Sequence, residues 1–221
     1  MRKNIKKFLF ENTSAKQTVA KNAVWLSVSN FGGRLIKAAV VIYAARELGT
    51  AGWGVFSYAV TLAGFLTLFI DPGINSILIR NVAKSSQEDQ EKILSTTFVM
   101  KICLLAAGVF LVIFVAPFFS TLPGAKALLP LVALIITFDT MREFFSSFIR
   151  AKEKMEWDAA IFLITNVAIV IFGFIFLYLK PDVVSFTWGY VLGTAAGAAT
   201  AIFVLRRYLK KIFSFFSAPL V

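Results

Sequence analysis

The chain has 221 residues, 58% of them hydrophobic and 16% charged, with mean hydropathy +0.79. Soluble domains are roughly 45–50% apolar and about 25% charged, so this composition excludes a soluble enzyme, a disordered tail and a disulfide scaffold. The formal charge is +11, there is no histidine and Cys103 is the single cysteine, which excludes histidine-based metal sites, a histidine general base and an intrachain disulfide.

Residues 1–21 are basic and polar, and their apolar patch Phe8-Leu9-Phe10 is too short for a signal-peptide core. No cleaved leader is expected; the segment reads as a cytoplasmic lead-in along the membrane surface. Six long apolar runs follow, at 22–45, 53–70, 96–119, 128–149, 159–179 and 183–205. Each is long enough to cross a hydrocarbon core of about 30 Å. With no water at that depth each must be helical to satisfy its own backbone. The expected fold is all-α: a polytopic membrane protein of six transmembrane helices over 22–205, with 206–221 as a cytoplasmic trailing segment.

The first run carries Ser27, Asn30, Arg34 and Lys37 at spacings of three and four, which puts them on one helical face. Two readings stay open: a polar stripe facing a cavity with two cations aimed at an anionic group, or cations paired with carboxylates of another span. Gly32-Gly33 offers a place for this helix to bend. After the second run, Asp71-Pro72-Gly73 marks a turn with Asp71 as its cap. The mixed-charge connection 71–95 is expected to hold a short amphipathic helix near the interface. In the third run Lys101 is expected to snorkel, and Cys103 to be a small buried hydrophobe.

The fourth run places Asp139, Arg142, Glu143 and Ser146 close to one face. They form an internal ion pair that holds the bundle, or they line the same cavity as Arg34 and Lys37. No nucleophile, metal set or paired-aspartate motif accompanies them, so no enzyme, catalytic residue, metal or cofactor is expected. In the sixth run Gly189, Gly193 and Gly197 recur every four residues, as a packing face. Pro117, Pro130 and Pro181 are placed near span ends or in first turns. Trp25, Trp53, Trp157 and Trp188 lie near predicted span ends, as an aromatic belt would.

Lysine and arginine set the orientation. Sixteen fall on one side (six in the leading tail, three in 71–95, three in the fourth connection, four after the last span), against Arg46, Lys126 and Lys180 on the other. Both termini should therefore be cytoplasmic, and the +11 charge reads as topology and anionic-lipid contact, with no nucleic-acid partner.

From residue 42 to 85 the pattern becomes specific: Ala45-Arg46-Glu47-Leu48-Gly49, then Trp53-Gly54, Asp71-Pro72-Gly73, and Arg80 followed by Ala83. This stretch resembles the first loop and second span of the polysaccharide-biosynthesis flippases, exporters of lipid-linked oligosaccharide in the multidrug/oligosaccharidyl-lipid/polysaccharide superfamily. Phe148–Trp157 resembles their cytoplasmic loop between spans four and five. The resemblance implies one six-helix, MATE-like lobe of a protein that usually has two, so the chain is expected to be a truncated N-terminal lobe, or else a half-transporter.

The implied function is translocation of a polyprenyl-pyrophosphate-linked oligosaccharide for cell-surface polysaccharide, with Asn30, Arg34, Lys37, Asp139, Arg142 and Glu143 as substrate-binding candidates. Two alternatives stand beside it. One is a cation-coupled multidrug antiporter lobe; the other is a non-transporting scaffold for glycan assembly. Expected partners are the lipid-linked oligosaccharide and membrane lipids, with a second lobe, a second copy or glycan-assembly enzymes as protein partners.

Overall fold

The computed structural model describes residues 15–216 apart from 69; at 15, 66, 67, 87, 88, 123 and 207–216 it describes the backbone alone. The tail 1–14 and the last five residues of the trailing segment lie outside the described residues. Every described element is helical, and no strand occurs among them. The order is α1 (Ala15–Thr67), α2 (Ile74–Lys84), α3 (Gln87–Phe110), a π-helical stretch (Leu111–Val115), α4 (Ala116–Phe119), α5 (Pro123–Ala151), α6 (Met155–Leu179) and α7 (Val183–Phe216).

Among the described residues four helical segments are long and apolar enough to cross a bilayer: Asp89–Phe119, Gly124–Ala151, Met155–Leu179 and Val183–Arg206. The first two predicted spans are the two limbs of α1, which meet at Gly49. That residue has φ 66° and ψ 179°, a backbone state open mainly to glycine. The bend expected at Gly32-Gly33 is therefore at Gly49 instead. Gly33 has a different role. A Cβ there would lie 2.6 Å from Phe162 Cε1 and 3.0 Å from Asn166 Nδ2, so its missing side chain lets α6 come close to α1. Helix α1 also starts earlier than expected, at residue 15. Lys21, placed in the surface lead-in by sequence, is only 1% exposed and pairs with Glu156 at 3.6 Å.

The short amphipathic helix expected within 71–95 is α2, and its apolar face has a definite partner: Ile74, Leu78 and Val82 are buried in a core with Phe144, Phe148 and Leu205. It is separated from the second limb of α1 by a break at Asp71-Pro72-Gly73. Asp71 Oδ1 caps the break by accepting from the N–H groups of Gly73 (3.2 Å) and Asn75 (3.3 Å). Its other oxygen lies 3.4 Å from Lys101 Nζ, which also approaches the Ile70 carbonyl at 3.5 Å. Lys101 does not snorkel: it is 1% exposed. It lies twelve residues into the 89–119 span, about 18 Å along it at 1.5 Å per residue. The buried ammonium neutralises the carboxylate that the broken helix needs for its cap.

Two smaller expectations also change. Pro130 lies inside α5, because that helix starts at Pro123. Cys103 is on the exposed outer face of α3 rather than in the core.

The packing of α6 on α7 follows the glycine stripe. A Cβ on Gly193 would lie 2.5 Å from Ile169 Cα, one on Gly189 would lie 2.8 Å from the Phe172 carbonyl oxygen, and one on Gly197 would collide with Thr165. Backbone-to-backbone approach of this kind replaces the hydrophobic drive that lipid does not supply. Hydroxyls within the helices satisfy themselves on the carbonyl one turn back, as Thr137, Thr165 and Thr187 do. The basic connections gather at one end of the bundle, where Gln90 at the start of α3 accepts a hydrogen bond from Lys152 after α5.

Candidate functional site

A cavity of about 410 Å³ opens between the two limbs of α1, α5, α6 and α7, with Val60 and Gly64 contributed by the second limb. Arg34 and Lys37 reach it from α1, Asp139 and Arg142 from α5, Asn166 from α6, and Tyr190 and Thr194 from α7. The two polar groups seen in the sequence therefore share one cavity. Gly33 makes this possible: its close approach to Phe162 and Asn166 sets the adjacent Arg34 and Lys37 against α6.

The cations differ in how they are held. Arg142 is 7% exposed and donates to Asp139 Oδ1 from Nε (3.0 Å) and Nη2 (2.9 Å). Its guanidinium also lies over the Phe162 ring, 5.7 Å from the centroid. Lys37 stands over the Tyr190 ring at 4.7 Å, a cation–π contact. Among the described residues neither Arg34 nor Lys37 forms an ion pair. Arg34 is exposed, and Asp139, paired on one oxygen, is 52% exposed.

Asn30 and Glu143 sit apart from this cavity. Asn30 is one turn from Arg34, on an open face of α1 shared with Ser27 and Phe31, and its Nδ2 donates to the Leu26 carbonyl at 2.8 Å. Glu143 lies behind the cavity. It meets Arg142 Nη2 at 3.4 Å and bonds Arg150, which in turn reaches Asp158 at 3.5 Å and donates to Ser147 Oγ at 2.9 Å. The result is a ladder of three carboxylates and two guanidiniums running from the cavity toward the basic end. It is the internal pairing expected of α5, extended across the loop to α6.

Sequence reasoning missed Asn166, Thr165, Tyr190 and Thr194. Asn166 had a signal, an amide in the middle of an otherwise apolar run. Its Nδ2 donates to the Phe162 carbonyl at 2.7 Å, which leaves its oxygen available to the cavity. Arg150 was counted only as a topology charge and Asp158 was not singled out, though they bracket a short loop and so had the spacing to pair.

No solved structure matches the chain. Two relatives each carry the name "Putative O-antigen transporter". The one from Shigella flexneri is 29% identical over 102 residues, covering 43% of this chain and 23% of the relative. The one from Escherichia coli K12 is 20% identical over 169 residues, covering 76% of this chain and 40% of the relative. The chain thus spans less than half the length of either. The family model described as polysaccharide biosynthesis protein matches residues 19–221, which takes in every transmembrane helix and the whole cavity. This multi-pass membrane protein belongs to the polysaccharide biosynthesis protein family.

Proposed function

We propose that the chain forms the first lobe of a transporter that carries a polyprenyl-pyrophosphate-linked oligosaccharide across the cell membrane for surface polysaccharide. The observation that carries this reading is the charge of the cavity. Arg34, Lys37 and Arg142 face a single carboxylate, Asp139, which leaves two positive charges in excess. A cavity with that excess suits an anion and repels a cationic drug, so the antiporter alternative is disfavoured. A doubly charged pyrophosphate complements it. The names of the two relatives support the same direction. Both termini are assigned to the cytoplasm on the lysine and arginine count.

The test is glycan export by the complete gene product carrying Arg34→Ala together with Lys37→Ala. We expect export to be lost while membrane insertion and abundance are kept. Export at the wild-type rate would remove the two cations from any role in holding the substrate.

A further inference from the structure

A second, larger hollow of about 650 Å³ opens at the basic end, between the end of α5, the turn that follows it, the start of α6 and residues 200–206 of α7. Lys152, Lys154 and Arg206 line it, and among the described residues no carboxylate does. Arg206 lies over the Phe203 ring at 4.5 Å and Lys152 over the Phe148 ring at 5.4 Å. Among the described residues Lys154 and Arg206 form no ion pair.

The depth of these groups is what gives the hollow its meaning. The span on α5 ends at Ala151 and the span on α6 starts at Met155, and along α7 the apolar run gives way at Arg206 to a basic sequence with Arg207, Lys210 and Lys211. The three cations therefore stand where hydrocarbon gives way to head groups. Phe148, Ile149, Thr200 and Phe203 line the same hollow on the hydrocarbon side of them, and Trp157, half exposed, sits at the rim as interfacial tryptophans do. A free phosphate would have no use for the apolar wall. A neutral apolar guest would leave the charges of Lys154 and Arg206 unanswered.

We propose that this hollow is a binding site for an anionic phospholipid of the bilayer, with its phosphate at the Lys152–Lys154–Arg206 rim and an acyl chain against Phe203 and Val204, over the buried floor of Phe148 and Ile149. It is separate from the cavity of Arg34 and Lys37 and shares no lining residue with it. Basic pockets between transmembrane helices on the cytoplasmic side are suited to such head groups.

The experiment is lipid titration of the purified chain, followed by native mass spectrometry, with phosphatidylglycerol and phosphatidylcholine as the probes. We expect one saturable phosphatidylglycerol site, not matched by phosphatidylcholine and not displaced by millimolar inorganic phosphate. Lys154→Gln with Arg206→Gln should weaken it about tenfold or more, because each cation near an anionic lipid surface contributes on the order of 1 kcal/mol. Arg46→Gln with Lys126→Gln removes the same charge at the opposite end and should leave it intact. Thr200→Phe keeps all three cations but fills the hollow, and should also weaken binding. Equal binding of the two lipids, displacement by free phosphate, or equal behaviour of the two double variants would each overturn the proposal. Unchanged binding to Thr200→Phe would overturn the placement of the acyl chain.

Discussion

Arg150 is the residue on which the charge ladder depends. It is mostly buried and holds two carboxylates at once, bonding Glu143 and meeting Asp158 at 3.5 Å, with Ser147 Oγ at 2.9 Å completing its contacts. Arg150→Met keeps most of the volume and removes the charge. Asp158, 7% exposed, would then be a buried carboxylate without its cation. Breaking a buried pair from one side costs about 3–5 kcal/mol. Glu143 is more than one-third exposed, so water recovers part of its share, and we place the cost near the lower bound, about 3 kcal/mol. Asp158→Asn in the same chain removes the orphaned charge, so the double variant should recover about half of that loss. The assay is a double-mutant cycle on unfolding free energy in detergent micelles, with an expected coupling of at least about 1 kcal/mol. A single-variant cost below about 1 kcal/mol, or costs that add within about 0.5 kcal/mol, would refute the reasoning and make the ladder a set of independent surface contacts.

Two further outcomes follow from the helix contacts. Gly193→Ala should destabilise by about 1–3 kcal/mol, since its Cβ would lie 2.5 Å from Ile169 Cα and 2.6 Å from Ile169 N; Gly54→Ala, with nothing within 4 Å, should be neutral or stabilise by up to about 1 kcal/mol, and thermal unfolding in detergent separates the two. Asp182 starts α7, accepting from the Ser185 N–H at 2.7 Å, and Lys180 sits 2.7 Å from its other oxygen. Lys180 first, and the Ser185 N–H second, hold this carboxyl below the usual carboxylate range. A folded pKa below the unfolded one makes this contribution present above about pH 4 and lost as pH falls through the folded value. Asp182→Ala should therefore cost about 1 kcal/mol at neutral pH, and the gap in apparent melting temperature should close on acidification; a gap that does not change with pH would refute the assignment.

The helical class and the rough position of the last four runs were legible because bilayer depth imposes a run length that composition reveals directly. Helical spacing also put the charges of α1 and of α5 each on one face, but that the two faces share a cavity was one of two open readings. The docking of α2 was not legible. Asp71-Pro72-Gly73 reads as the end of a span, and nothing local says that α2 resumes inside the bundle. That depends on Ile74, Leu78 and Val82 finding Phe144 and Phe148, more than sixty residues away. The fate of Lys101 was hidden for the same reason. Snorkelling is a single-helix argument, and the carboxylate that holds this lysine belongs to another segment. Gly33 was misread by the same logic, as a local bend, when its use is to admit Phe162 and Asn166 from α6.

The two cation sets differ in a way that assigns them different duties. On α5 each guanidinium is bound to a carboxylate of its own helix or of α6, so the ladder is internally compensated and its geometry does not depend on a ligand. On α1 the cations have only a ring beneath Lys37 and no carboxylate among the described residues. Burying a charge without a partner is costly, and the exposure of Arg34 shows how that cost is reduced: it faces the cavity and the open face of α1 rather than the packed interior. On the proposed function, an anion entering the cavity would gain two contacts at α1 without breaking one at α5. The ladder fixes Arg142 and Asp139, the α1 stripe carries the charge that no carboxylate pairs among the described residues, and the close contact at Gly33 sets the two on one cavity.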